Sequence, residues 1–204
     1  MYKDNEKYWI KRHVELKNDI RSVGNLTKDV ETNMRGYALK IERLRNAILA
    51  TLGSIEDKAV LEVGCGIGMM APDLIRLGAR YTGIDISHMA LAKAQEKCPS
   101  GTFICHSAFE YKLETRFALV FCTELLAHLI KDENWRLTVQ NMKEHLDRNG
   151  MILIKGEIWA DRRTPSAHVV SRSNSEYTDL CASLNLSFET IDSVPGFYCM
   201  VPLS

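Results

Sequence analysis

The stretch Val60-Leu61-Glu62-Val63-Gly64-Cys65-Gly66-Ile67-Gly68 decides the fold. Its first half, entered through Ala59, is a short aliphatic run of the kind that forms a buried strand, and it ends abruptly in glycines. Glycines suit a point where the backbone turns sharply and a ligand approaches the main chain with no Cβ in the way. A dinucleotide-binding loop would follow G-x-G-x-x-G spacing, and Met69 stands where its third glycine would fall. Here the spacing is G-x-G-x-G, preceded by Glu62.

Downstream the chain alternates strand and helix. Helical spacing is expected from Met69 to Leu77, closed by Gly78, and a second strand from Tyr81 to Ile86. Ser87 is placed to cap a helix running to Lys97. Thr102–Cys105 and Phe117–Cys122 read as the third and fourth strands. A helix over Glu133–Leu146 and a fifth strand over Met151–Lys155 follow, the latter entered through Asn149-Gly150. Such alternation predicts an α/β fold, a doubly wound and mostly parallel sheet. The tail departs from it. After a helix over Ser175–Leu184, two strands flank Pro195-Gly196, and a connection that short permits only an antiparallel β-hairpin.

Upstream, residues 1–52 read as an N-terminal helical cap, and residues 53–204 as the catalytic domain. Tyr37–Leu52 carries apolar residues at helical spacing, and Tyr8, Trp9, Val14, Leu16 and Ile20 suggest a shorter helix before it. Gly24 and Gly36 punctuate the segment between them.

Composition sets the class. The chain has 204 residues, 46% hydrophobic and 25% charged, the profile of a soluble globular enzyme. With 26 basic and 26 acidic side chains the net charge is zero, which argues against a protein built to hold nucleic acid. The six cysteines form no C-x-x-C pair, and several lie in apolar runs, so they read as small buried hydrophobes. The N-terminal stretch Met1–Glu6 lacks an apolar leader core and no run is long enough to span a membrane, which makes the cytoplasm the expected compartment. No metal-ligand spacing is apparent, and a monomer or homodimer is expected.

Seventeen residues beyond Gly68, at the carboxyl end of the second strand, comes Asp85 in Gly83-Ile84-Asp85-Ile86-Ser87. A carboxylate there can accept hydrogen bonds from both hydroxyls of a ribose, in the same crevice as the glycine loop. The alternative makes Asp85 part of a turn that caps a helix. Taken together, VLEVGCGIG, GIDIS, FALVFCTELLAHL and LDRNGMILIKGE resemble the successive motifs of class I S-adenosylmethionine-dependent methyltransferases, across roughly Leu52 to Ser204. That family's Rossmann-like sheet ends in an antiparallel strand, in keeping with the hairpin.

The resemblance implies S-adenosyl-L-methionine as cofactor. Gly64, Gly66 and Gly68 would line its methionine and ribose part, Glu62 would orient its amino group, and Asp85 would grip the ribose. Ile86 or Met89 would pack on the adenine, and Ser107, Ala108, Phe109 and Thr123 would complete the cofactor side. Ser107 stands where the family often has an acid near the adenine amine, and Ala118 where many members carry Asp.

Methyl transfer from a sulfonium is an in-line displacement, so the protein must align the acceptor, exclude water and, for a hydroxyl, remove a proton. Candidates follow the fourth and fifth strands. His128 is the leading general base, with a structural role as the other reading. His168 is a second candidate, on a segment of unpredictable course, and Glu124 reads as an orienting group. Arg162-Arg163 could hold an anionic substrate group or be a solvated charge run. Tyr8, Trp9 and Lys11-Arg12-His13 would cap the site or, alternatively, pack only on the sheet edge.

The function expected is methylation of a small molecule at a hydroxyl. The N-terminal pattern loosely resembles methyltransferases of saccharide synthesis, which makes a saccharide or nucleotide-sugar the specific expectation. A protein or RNA methyltransferase is the alternative within the chemistry, and a cofactor-binding module without catalysis is the alternative outside it. The N-P-P-Y tetrapeptide of base-methylating members is replaced by Cys122-Thr123-Glu124-Leu125.

Overall fold

The computed structural model describes residues 5–17 and 19–203. Residues 1–4, part of the stretch read for a leader, lie outside the described residues. The five expected parallel strands are present as β1 (Ala59–Val63), β2 (Arg80–Asp85), β3 (Thr102–Cys105), β4 (Phe117–Thr123) and β5 (Leu146–Lys155). The terminal hairpin supplies β8 (Glu189–Thr190) and β9 (Phe197–Met200). Together they form one seven-stranded sheet in the order β3-β2-β1-β4-β5-β9-β8, parallel except for the last two strands.

Strand order places the functional crevice. The chain steps outward from β1 through β2 to β3, then returns to the other side of β1 for β4 and β5. Beyond the carboxyl ends of β1 and β4 the connections therefore diverge to opposite sides, which opens a cleft at that switch point.

The core follows from alternation along the strands. Leu61, Val63, Val120 and Ile152 face one layer, against Trp135, Val139 and Met142 of α5 (Asp132–Glu144) and Tyr177 and Leu180 of α6 (Asn174–Ser183). Val60, Leu119, Phe121 and Leu153 face the other, against Leu44 and Ile48 of α2 (Val30–Leu52) and Leu74 of α3 (Ala71–Arg76). The remaining helix of this set, α4 (His88–Lys97), starts at Ser87, whose hydroxyl accepts from the Ala90 N–H. Cys65, Cys98, Cys122, Cys181 and Cys199 are buried free thiols and Cys105 is half-buried, in keeping with their reading as small hydrophobes. Among the described residues no helix is long and apolar enough to cross a membrane.

Three local readings are corrected. Gly36 does not break the second N-terminal helix: α2 begins at Val30, where the Asp29 carboxylate accepts from the Thr32 N–H at 2.7 Å. Gly36 faces open space, and its cost of about 1 kcal/mol in a helix interior is outweighed by the cap and the packed face of a 23-residue helix. The first N-terminal helix, α1, runs Asn5–Glu15, and Ile20 belongs to a separate 3-10 turn, Ile20–Ser22. The segment after β5 is not irregular. It forms a small antiparallel pair, β6 (Arg163–Ser166) and β7 (Val169–Ser171), with His168 beside its tip. Polar composition and Pro165 hide that hairpin from a pattern search.

Phe121 is fully buried where β4 meets the α2–α3 layer. Phe121→Ala is expected to destabilise the protein by about 3–5 kcal/mol in chemical denaturation. Leu137→Ala, on the exposed face of α5, is expected to change stability by less than about 1 kcal/mol.

Candidate active site

Two carboxylates end neighbouring strands. Glu62 on β1 is only 2% exposed, and its Oε2 accepts from the Tyr81 hydroxyl at 2.5 Å. Burial pushes its pKa up to about 8, the Tyr81 bond opposes that, and the nearby Asp85 charge adds to it. Asp85 is also buried: its Oδ2 accepts from the Gly66 N–H and its Oδ1 from the Ser87 N–H, each at 2.9 Å. One side chain thereby ties the glycine loop to the cap of α4. Burial raises the Asp85 pKa, and His13 with these backbone donors pulls against it.

The glycine loop adopts left-handed conformations that a side chain would strain. Gly64 (φ 77°) lies under Leu125, with an added Cβ falling 2.9 Å from its Cδ1. Gly66 (φ 53°) lies under Val23, with an added Cβ 2.8 Å from Cγ1. Both face the cavity over the strand ends. So do Glu62, Asp85, Ile86, Ser107, Ala108, Thr123, Glu124 and His128.

Four expected residues are elsewhere. Gly68 is turned into the packing of α4, where an added Cβ would meet Ala94 at 2.8 Å. Met89 is 39% exposed on α4 and does not line the cavity, so Ile86 alone of that pair remains at it. Phe109 falls in the turn after Ala108 and also stays outside. His168 lines a second cavity that adjoins the first.

The second cavity lies between α1, α2 and the loop at residues 23–28, and it shares Trp9, Val23, Tyr37, Glu124 and His128 with the first. His128 therefore stands at the junction. Its Nδ1 lies 3.1 Å from the His168 carbonyl. A carbonyl can only accept, so Nδ1 carries the proton and the Nε2 lone pair remains available. Burial lowers the His128 pKa below its usual value, opposed by that same hydrogen bond, so the ring is neutral near pH 7. Arg172 holds the turn that carries it, donating to the Leu129 carbonyl and to Asp132, each at 2.8 Å.

Glu124 follows β4 with a left-handed backbone (φ 61°) and is bound by the ammonium groups of Lys40 and Lys155. Burial would raise its pKa, but the two lysines outweigh that and hold it down at about 2. It is an ion-pair anchor between α2 and the sheet and stays ionised at neutral pH. Arg162 pairs with Asp132 and Glu176, which occupies it in the framework.

The sequence reading missed the extent of α1 in the site. Asn5, Glu6, Trp9 and His13 all line the first cavity, spaced so that one helical face covers it. Glu6 accepts from the Ser107 hydroxyl at 2.6 Å. A carboxylate is thus brought to Ser107, where the strand itself lacks one. The four-residue spacing of Asn5, Trp9 and His13 is visible in the sequence, but nothing local says which cavity that face would meet.

The residues present fit the group that the motifs imply. Two buried carboxylates suit a cationic ligand bearing a diol, the glycine loop lets it approach the main chain, and the Asn5 Oδ1 and both His13 ring nitrogens are buried without a partner among the described residues. Residues 60–150 match the family model described as "Methyltransferase domain". A ubiquinone biosynthesis O-methyltransferase of Pseudoalteromonas translucida is 36% identical over 83 residues, 38% of this chain and 35% of that protein. The chain spans between 35% and 65% of the length of the first curated relatives it matches. A magnesium protoporphyrin IX methyltransferase from Synechocystis, solved with bound S-adenosylmethionine, superposes with a TM-score of 0.72 at 16% identity, covering 98% of this chain and 97% of that one. A sugar N-methyltransferase from Streptoalloteichus superposes with a TM-score of 0.69 at 17% identity, covering 87% and 94%. At such identities the likeness is one of fold. Residues 60–150 thus match a methyltransferase domain by sequence, and the chain shares the Rossmann-like fold of these solved methyltransferases.

Proposed function

We propose that the chain transfers the methyl group of S-adenosylmethionine to a hydroxyl of a small molecule, with residues 53–204 as catalytic domain and residues 1–52 as its cap. The observation that carries the choice of a hydroxyl is His128: its Nδ1 proton is committed to the His168 carbonyl, leaving Nε2 free to take a proton where the two cavities meet. An alcohol must lose its proton as the carbon–oxygen bond forms, and a neutral imidazole serves that step. The cofactor, when bound, supplies the electrophilic methyl.

The remaining roles follow from position. Glu62 offers its carboxylate to the cofactor ammonium, and Asp85 to the ribose hydroxyls. Trp9 and Tyr37 wall off water between cofactor and acceptor. The second cavity takes the acceptor. Tyr8, Trp9 and Tyr37 beside Asn25 and Thr27 give it the mixture of aromatic faces and hydrogen-bonding groups that suits a saccharide, our preferred acceptor class. The names of relatives and structural neighbours include both an O-methyltransferase and a sugar N-methyltransferase, so the acceptor screen includes sugars, phenols and amino sugars.

Calorimetric titration with S-adenosylhomocysteine is expected to show micromolar binding that Asp85→Ala weakens at least about 10-fold, and no heat with NAD. Absence of binding, or preference for NAD, would remove the methyltransferase reading. With an acceptor in hand, His128→Gln is expected to lower kcat about 10²–10⁴-fold while product affinity stays within about threefold. Wild-type kcat/KM is expected to fall as pH drops through the lowered pKa of His128, because protonation removes the Nε2 lone pair, and to level off above it. An amine as the best acceptor, with His128→Gln fully active, would overturn the assignment of a hydroxyl.

A further inference from the structure

His13 is the most conspicuous polar group that the proposed reaction leaves unused. It sits on α1 one helical turn after Trp9, is 4% exposed, and neither ring nitrogen has a hydrogen-bond partner among the described residues. Burying two such atoms unpaired is unfavourable, and a ligand group that met them would remove that penalty. His13 lines the same cavity as Asp85, and the two groups interact electrostatically. The ring therefore borders the cavity in which the ribose hydroxyls would lie.

We propose that His13 is a ribose-binding residue that shares the diol of the cofactor with Asp85, an inference that rests on the methyltransferase reading. The hydrogen-bond inventory requires two partners of different kind. An ionised carboxylate only accepts, so each hydroxyl that donates to Asp85 keeps lone pairs that call for a donor. A neutral imidazole has one N–H to give and one lone pair to receive, which completes both hydroxyls without a second charge. Burial lowers the His13 pKa and favours that neutral form, with the Asp85 charge opposing.

The rest of the helix agrees with this placement. Glu6 lies on the same face, seven residues earlier, or about 10 Å along the axis. That separation is comparable to the reach of a nucleoside from its exocyclic amine to its ribose. Glu6 is bonded to Ser107, at the adenine side of the cavity. One face of α1 thereby spans the nucleoside, while Trp9 between them borders the acceptor cavity as well.

The test is a calorimetric cycle with wild type, His13→Ala and His13→Gln against S-adenosylhomocysteine and its 2′-deoxy and 3′-deoxy analogues, with thermal unfolding confirming that each variant is folded. His13→Ala is expected to weaken the parent ligand about 10-fold or more, but at least one deoxy analogue less than about threefold, because the lost partner is already missing there. His13→Gln, which keeps a donor, is expected to recover part of the loss. Wild-type binding with a His13→Ala loss equal for all three ligands, or no loss, would overturn the role of His13 and leave the methyltransferase reading standing. Should wild type bind none of the three, both fall together.

Discussion

Burying a carboxylate costs several kcal/mol unless hydrogen bonds or an opposite charge offset it, and this chain does so twice in one site, at the ends of adjacent strands. Asp85 is held by two backbone N–H groups and Glu62 by one tyrosine hydroxyl. The bonds to Asp85 fix the glycine loop against the start of α4, so the geometry of the cavity floor depends on a side chain that also faces the ligand. Burial raises the Glu62 pKa, so an opposite charge beside it would favour the ionised form. An ammonium on the ligand would restore its charge and strengthen the whole arrangement.

Above that floor the site is assembled from parts with different rigidity. Loop and acids stand at the ends of β1 and β2, and β1 is packed on both faces of the sheet, which gives them precise placement. His128 stands on a short 3-10 turn after β4, Leu126–His128, and that turn is held from outside by Arg172, whose guanidinium also lies over Trp135 at 4.6 Å. Arg172 directly follows β7, next to Ser171. The turn that carries His128 is therefore held by the residue that follows the small hairpin, whose tip residue His168 lines the second cavity.

Of the two expectations for the N-terminal helix, a cap over the site or a packer on the sheet edge, it follows the first: it contributes Asn5, Glu6 and His13 to the first cavity and Tyr8 and Trp9 to the second. Asn5 bonds to the carbonyls of His128 and His168, so α1 is fastened to both loops that carry candidate chemistry. The carboxylate of Glu6 at Ser107 accounts for the missing acid after β3: the charge comes from a helix about 100 positions away in the chain.

By itself the sequence determined the sheet, its parallel order ending in a hairpin, and the floor of the site. Those features depend on local patterns: apolar runs of period two, glycines where the backbone must turn left-handed, an acid at a fixed offset on the next strand. It placed Glu62, Gly64, Gly66, Asp85 and Ile86 at one cavity because adjacent parallel strands bring their carboxyl ends together whatever else the chain does. Only the tertiary structure decided that Gly68 serves helix packing, that Glu124 is neutralised by Lys40 and Lys155, that His168 fixes the tautomer of His128 through its backbone, and that His13 borders the same cavity as Asp85. Each of these joins residues from distant segments, through contacts set by how helices and hairpins dock on the sheet. No periodicity or spacing in one segment encodes which partner another segment will present, so that half of the site becomes readable only once the chain is folded.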